Sequence, residues 1–285
     1  QAIDSITKEL STGNMMASGW DKYAQKTSSV QTIMAATRDA FEDEGEQMQF
    51  VNDQLNKLVW FTDETSYNMV DMISNISKFT SNKVALEDAV VAMEGIALEA
   101  SLSGANAEQA SRAMYNFSQA MGVGSVKVQD WMSIENATMA NAEFEDMLIQ
   151  TAYELKTIKK DRKGNYYSTK GKKTHELNAQ TFRSTLADEW LTGEVLVETL
   201  RKYGAFTQRL SDVYLQFNEN GDFTTSEILR FVNDFADSSV SAERKAEILN
   251  ETIKATGLTS KEALDLLKEL GSAEYEMGRR AFEAG

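Results

Sequence analysis

Proline and cysteine are both absent from the 285 residues. Average usage would give about 5% proline, and without it nothing in the sequence forces a helix to kink or stop. The fold class expected is therefore all-α, or mainly α. The lack of cysteine excludes disulfides, thiolate nucleophiles and every cysteine-based zinc or iron-sulfur site, and it fits an intracellular or virion setting. Histidine occurs once, as His175, so an HExxH zinc site is excluded. A Ser-His-Asp triad would have to draw its base from this one residue in a basic stretch, and a solvated loop histidine is the simpler reading. Long apolar runs are missing too. The longest, "ALEDAVVAMEGIALEA" at 85–100, is broken by Glu87, Asp88, Glu94 and Glu99, whereas a membrane span needs roughly 20 apolar residues.

What is present is a globular composition. Hydrophobic residues make up 42% of the chain, enough for one large core or two ordinary ones at this length. Forty-four acidic against 29 basic residues give a net charge of −15, which argues against broad non-specific attraction to nucleic acid or anionic lipid. Gln1 stands first with no signal-like apolar core behind it, which points to a fragment or a processed product.

Helices announce their own beginnings. In "GANAEQASRAMYNFSQAM", Asn106 can cap with Gln109 three residues on, and Ala110, Ala113, Met114, Phe117 and Met121 share one face up to Gly122. Thr224 and Glu227 repeat the device ahead of Ile228, Phe231, Val232 and Phe235. Thr259 and Glu262 do so ahead of Ala263, Leu266, Leu267 and Leu270, with Gly271 suited to the C′ position. Heptads are not sustained and no solenoid period is visible, so packed short and medium amphipathic helices are expected. The one β signal is "KGNYYSTKGKK", a small hairpin near 164–174. It suggests a helical domain over 1–160 and a second part over 161–285, made of the hairpin and C-terminal helices.

Several short patterns invite chemistry and carry little. "SITK" at 5–8 has Ser-x-x-Lys spacing without companion motifs. Gly122-Val123-Gly124 lacks a preceding strand and a Lys-Ser/Thr pair, so it reads as a helix C-terminus and turn. "QFNENGDFTTSE" at 216–227 resembles a degenerate calcium loop with Asn218, Asn220 and Glu227 at ligand-compatible positions. Gln216 replaces the leading aspartate, and an Asn-Gly turn before a capped helix explains the same letters. Residues 156–173 hold eight Lys and Arg against Asp161, so +7 sits there and −22 on the rest of the chain. That ribbon could be a solvated hairpin, a dock for an acidic partner, or, ranked third, a contact for a nucleic acid strand. In "NKLVWFTDETSYNMVDM" at 56–72, Thr62 or Asp63 is expected to cap a new helix with Val59, Trp60 and Phe61 as its apolar staple. A catalytic reading of Asp63 or Glu64 would need a second carboxylate that the sequence does not single out.

Three stretches carry a resemblance: "LVWFTDETSYNMVDM" (58–72), "GANAEQASRAMYNFSQAMGVGSVKVQDWMSIENA" (104–137) and "TFRSTLADEWLTGEVLVETLRKY" (181–203). They resemble the N-terminal conserved region of tail tape measure proteins of long-tailed bacteriophages and prophages, over most of 20–210. The residues that carry the match are Trp60, Phe61, Asp63, Glu64, Thr65 and Ser66, then Asp130, Trp131, Ser133 and Glu135, and Trp190 in the third stretch. The resemblance implies a structural virion protein in the tail lumen, assembled in the host cytoplasm, which sets tail length and is ejected ahead of DNA. It implies no catalytic residues, cofactor or metal in this region. The implied partners are the tail tube protein, tail tip or baseplate hub proteins, tail assembly chaperones and further copies of the same chain, with DNA contact not expected from net charge. The alternatives are a tail-tip binding module with a weak calcium or nucleic-acid contact, or a segment associated with a cell-wall hydrolase. Other branches of the family have an Ala-Pro-Gly turn after the Trp131 motif; its lack here leaves the fold of 135–150 open.

Overall fold

A computed structural model describes residues 28–65, 67–273 and 275–284. The fold is mainly helical, with one small antiparallel sheet. Residues 28–37 form α1. There follow α2 (Glu44–Glu64), α3 (Met69–Ser81), α4 (Leu86–Leu102), α5 (Ala107–Val123), α6 (Val128–Asn136) and α7 (Ala142–Glu154). The sheet is β1 (Lys159–Lys160), β2 (Tyr166–Lys170) and β3 (Lys173–Leu177), in that order. After it come the short α8 (Phe182–Thr185), α9 (Gly193–Asn218), α10 (Thr225–Ala236), α11 (Ala242–Thr256), α12 (Ser260–Leu270) and α13 (Glu276–Ala284).

The chain forms two compact units that divide between Arg201 and Lys202, within α9. The division suggested near residue 160 thus falls inside the first unit, where β3 packs on α8. The expected hairpin is present over Tyr166–Leu177 and gains β1 as a third strand, with Lys159 opposite Tyr167 and Lys160 opposite Tyr166.

The first unit is organised around α4, which is flanked by α2, α3 and α5. The acidic residues that break its apolar run do not turn it outward, since Glu94 and Glu99 are each 1% exposed. Glu99 is held by Ser103 Oγ, which donates to it at 2.7 Å, and by Asn141 Nδ2. Asn141 in turn caps α7 by accepting from the Phe144 N–H at 2.9 Å, so the buried carboxylate ties one helix to the start of another. Gly95 sits where a Cβ would come within 2.4 Å of the Leu200 carbonyl oxygen. Only glycine lets the backbone of α9 approach α4 there.

Within the run at 56–72, the Trp60–Glu64 part is a helix end and not a helix start. It closes α2, whose buried face repeats as Val51, Leu55, Leu58 and Phe61, a spacing that carries the helical period past Trp60. The new helix begins at Met69, because Asn68 Oδ1 accepts from the Val70 and Asp71 N–H groups. Asp63 and Glu64 mimic an N-terminal signal yet lie on the last turn, where acids oppose the helix dipole.

Downstream, the capping boxes at Asn106/Gln109, Thr224/Glu227 and Thr259/Glu262 are all formed. Gly124 ends α5 in the left-handed region at φ 96°. Gly271 does not adopt that conformation: its φ is −85°, and a Cβ there would meet the Ala236 Cβ at 2.9 Å. Its smallness serves the approach of α10 and α12 in the second unit. Without proline, the chain turns between α6 and α7 through Thr138, at φ 63°, an uncommon conformation for a β-branched residue. In the second unit Phe206, Leu210, Val213 and Phe217 of α9, Phe231 of α10 and Leu267 and Leu270 of α12 are buried. Arg209 forks onto Glu269 at 2.8 and 3.0 Å.

Candidate functional site

The residues that carry the resemblance fall into two places in the first unit. Phe61, fully buried, stacks on Tyr67 with ring centroids 6.2 Å apart. The Tyr67 hydroxyl donates to the Ala97 carbonyl at 3.0 Å, fixing the loop between α2 and α3 onto α4. Thr65 Oγ1 donates back to the Phe61 carbonyl at 2.8 Å. Trp60 is half-buried and Asp63 and Glu64 are exposed. Ser66 and the Ser-x-x-Lys pattern at 5–8 lie outside the described residues.

The second place is an aromatic column. Trp131 of α6 lies against Phe144 of α7 at 6.2 Å and Phe182 of α8 at 4.7 Å. Phe182 meets Trp190 edge to face at 5.3 Å, and Phe144 meets Phe117 of α5 at 6.4 Å. Trp190 Nε1 donates to Thr185 Oγ1 at 3.3 Å, whereas the buried Trp131 Nε1 finds no acceptor. The polar members of the same motif are engaged locally. Asp130 Oδ2 accepts from the Lys127 N–H at 2.9 Å and closes the start of α6. Glu135 pairs with Arg183 at 3.6 Å, and the Ser133 hydroxyl donates to the Gln129 carbonyl at 3.4 Å. A backbone clasp completes the arrangement: Val126 N–H donates to Leu191 O at 2.9 Å and Gly193 N–H to Gly124 O at 3.1 Å. Trp131 and Trp190 thus belong to one core, a relation their sequence separation hides.

His175 is not a loop histidine. It sits on β3 opposite Ser168, and its Nδ1 lies 2.7 Å from Asp188 Oδ2. The same oxygen accepts from Ser168 Oγ at 2.6 Å. The side chain of Asp188 is 3% exposed. Burial alone would raise its carboxyl, but the Ser168 and His175 contacts, with Lys170 nearby, hold it below the ordinary aspartate value. The chemistry of a nucleophilic triad needs the serine on the imidazole. Here serine and imidazole converge on one carboxylate, and Ser168 is fully buried. The group is a clamp that fixes the ribbon to the segment 186–188. Lys170 adds to it by donating to the Ala187 carbonyl at 2.7 Å. Sequence reasoning missed Asp188 because nothing in "LADEW" marks one acid as buried.

In the second unit, the loop at 216–227 uses its polar atoms on protein groups, with Asn220 Nδ2 donating to the Ala255 carbonyl at 3.4 Å. Asn218 Oδ1 accepts from the Phe223 N–H at 2.7 Å, and its Nδ2 donates to the Tyr214 and Phe223 carbonyls. Glu227 Oε2 accepts from the Thr224 N–H and hydroxyl, both at 2.9 Å. Those hydrogen bonds hold Glu227 below the usual carboxylate range. Among the described residues no group of three or more His, Cys, Asp or Glu is placed to hold a metal ion. Compared with family models, with curated proteins and with solved structures, the chain matches none.

Proposed function

We propose that this chain is part of a tail tape measure protein of a long-tailed bacteriophage or prophage, a non-enzymatic structural component that sets tail length during assembly and leaves ahead of DNA at infection. The observation that carries the reading is convergence. The three stretches that resemble the family are far apart in sequence, yet all but Lys202 and Tyr203 at the end of the third fall in one unit, linked by successive packing of α2 on α3, α3 on α5, α5 on α6 and α6 on α8. Of their large apolar members, Phe61, Trp131 and Trp190 are buried and Trp60 is half-buried, and Asp130, Glu135 and Thr65 are spent on a cap, an ion pair and a backbone contact. Side chains engaged in this way support a structural use of the signature, while Asp63 and Glu64 stay exposed.

This portion acts as a packed module within the longer protein and engages tail tube, tip or hub proteins, assembly chaperones or further copies in the tail lumen. Its helices are folded back on one another, so its contour length is not its reach. Mass spectrometry of purified tails tests the placement: peptides from this chain at a fixed copy number per tail are expected, and tails that lack them overturn it. An in-frame deletion of 104–139 in the phage tests the packed form. Absent tails, or tubes of no defined length, are expected. Tails shortened by about 1.5 Å per deleted residue, roughly 54 Å, would make the segment an extended part of the ruler.

A further inference from the structure

The ribbon of the first unit carries charge opposite in sign to the rest of the chain, and its own acid does not neutralise it. Asp161 Oδ1 accepts from the Lys163 and Asn165 N–H groups at 2.8 and 2.9 Å, and its Oδ2 accepts from the Tyr167 hydroxyl at 3.3 Å. It is a staple for the β1–β2 loop. Among the described residues, none of the eight cations of 156–173 is paired with a carboxylate. The polar contacts they make are to neutral groups: Lys160 donates to the Tyr166 hydroxyl at 3.0 Å and Lys170 to a backbone carbonyl.

The placement of these cations is directional. Antiparallel pairing puts Arg162 and Lys163 at one end of β2 and Lys170, Lys172 and Lys173 at the other. At about 3.4 Å per residue the two groups are separated by about 14 Å, the reach of a few nucleotides. Beside the second group, between β3 and the segment 181–188, lies a hollow of about 670 Å³ walled by Lys170, Lys173, His175, Thr181 and Ser184. That is within the roughly 300–1,000 Å³ of small-molecule sites. Two acids share the wall, Asp188, spent on the clamp, and Glu176, which accepts from Asn178 Nδ2 at 3.4 Å. Next to the first group, Tyr153 is 45% exposed, and Lys160 lies over the rings of Tyr153 and Tyr166 at 5.7 and 4.6 Å. One exposed ring, Tyr153, and the half-buried Tyr166 thus lie among cations without carboxylate partners, the combination a single strand uses, bases stacking and phosphates pairing. The net −15 of the chain does not prevent this, because charges beyond about 8 Å are largely screened at physiological salt.

We propose that the ribbon binds single-stranded nucleic acid, with phosphates on Lys163, Lys172 and Lys173 and one nucleotide in the hollow beside His175. The site stands whether or not the chain works in a tail, and its test is independent of tail assembly. Fluorescence anisotropy of a fluorescein-labelled 20-nucleotide oligo-dT, titrated with the full chain from 25 to 200 mM NaCl, reads it directly. With three to four phosphates engaged, log K is expected to fall against log salt with a slope of about −2 to −3. Exchanging Lys163, Lys172 and Lys173, all exposed, for Gln should weaken binding at least tenfold and flatten the slope, with circular dichroism unchanged. Lys254→Gln with Lys261→Gln, exposed in the second unit, should leave binding as it was. The proposal is overturned if the oligonucleotide does not bind at 25 mM NaCl, or if the triple variant binds as tightly as the parent. It is equally overturned if a duplex of the same length binds as well as the single strand, or if poly-glutamate competes at equal charge, the mark of a dock for acidic protein.

Discussion

Glu145 on α7 is half-buried, and its carboxyl is pushed up from 4.5 to about 7, first by burial and then by the charges of Glu135 and Asp146. The folded chain therefore keeps a proton that the unfolded chain releases near pH 4.5, so stability falls as pH rises between about 4.5 and 7 and the penalty is complete above. Discounted for water access to a partly exposed group, it amounts to about 1 kcal/mol. Glu145→Gln should raise the melting temperature by about 2–4 °C at pH 8 and by little at pH 4.5. An equal gain at both values would contradict this. Asp188 has the opposite sign: its lowered carboxyl stabilises the fold above the ordinary aspartate range and loses that contribution as pH falls through its own, lower value. Asp188→Asn removes the charge that Ser168 and His175 share and should cost about 1–3 kcal/mol at pH 7. Thermal unfolding measures it, and the deficit should shrink in acid, where the parent carboxyl is itself neutral.

Among the elements, α6 depends most on a single side chain, since Trp131 joins α7 and α8 through one ring. Trp131→Ala should cost about 3–5 kcal/mol and collapse the near-ultraviolet circular dichroism while much helical signal remains; an unchanged aromatic spectrum would contradict the column. The helices α5, α10 and α12 were legible because two independent signals agreed at each, a capping pair and an apolar stripe. The end of α2 was misread because Thr62, Asp63 and Glu64 look like an N-terminus, although the spacing of Val51, Leu55, Leu58 and Phe61 already carried the helix through Trp60. The third strand was hidden in two residues, Lys159 and Lys160, that have no strand-like pattern of their own. The Trp131–Phe182 contact joins elements about 50 residues apart in sequence, and no local pattern encodes such a pairing. The same holds for Asp188, whose burial is created by a strand that passes over it.

At the scale of the whole molecule, a proline-free, mainly helical chain has folded into two compact units, with the family-like stretches in the first except for Lys202 and Tyr203. A ruler made of extended helix would expose those stretches along its length; here Phe61, Phe117, Trp131, Phe182 and Trp190 of the stretches are interior, as suits a packed module. Under the tape measure role proposed above, the module helps set the length at which tube growth stops, and its loss should release that control. The most direct measurement of the proposed role is the tail-length distribution, by electron microscopy, of phage particles made with an early stop codon in place of this chain. Absent tails, or tubes of no defined length, are the expected result. Tails of normal and uniform length would contradict the assignment.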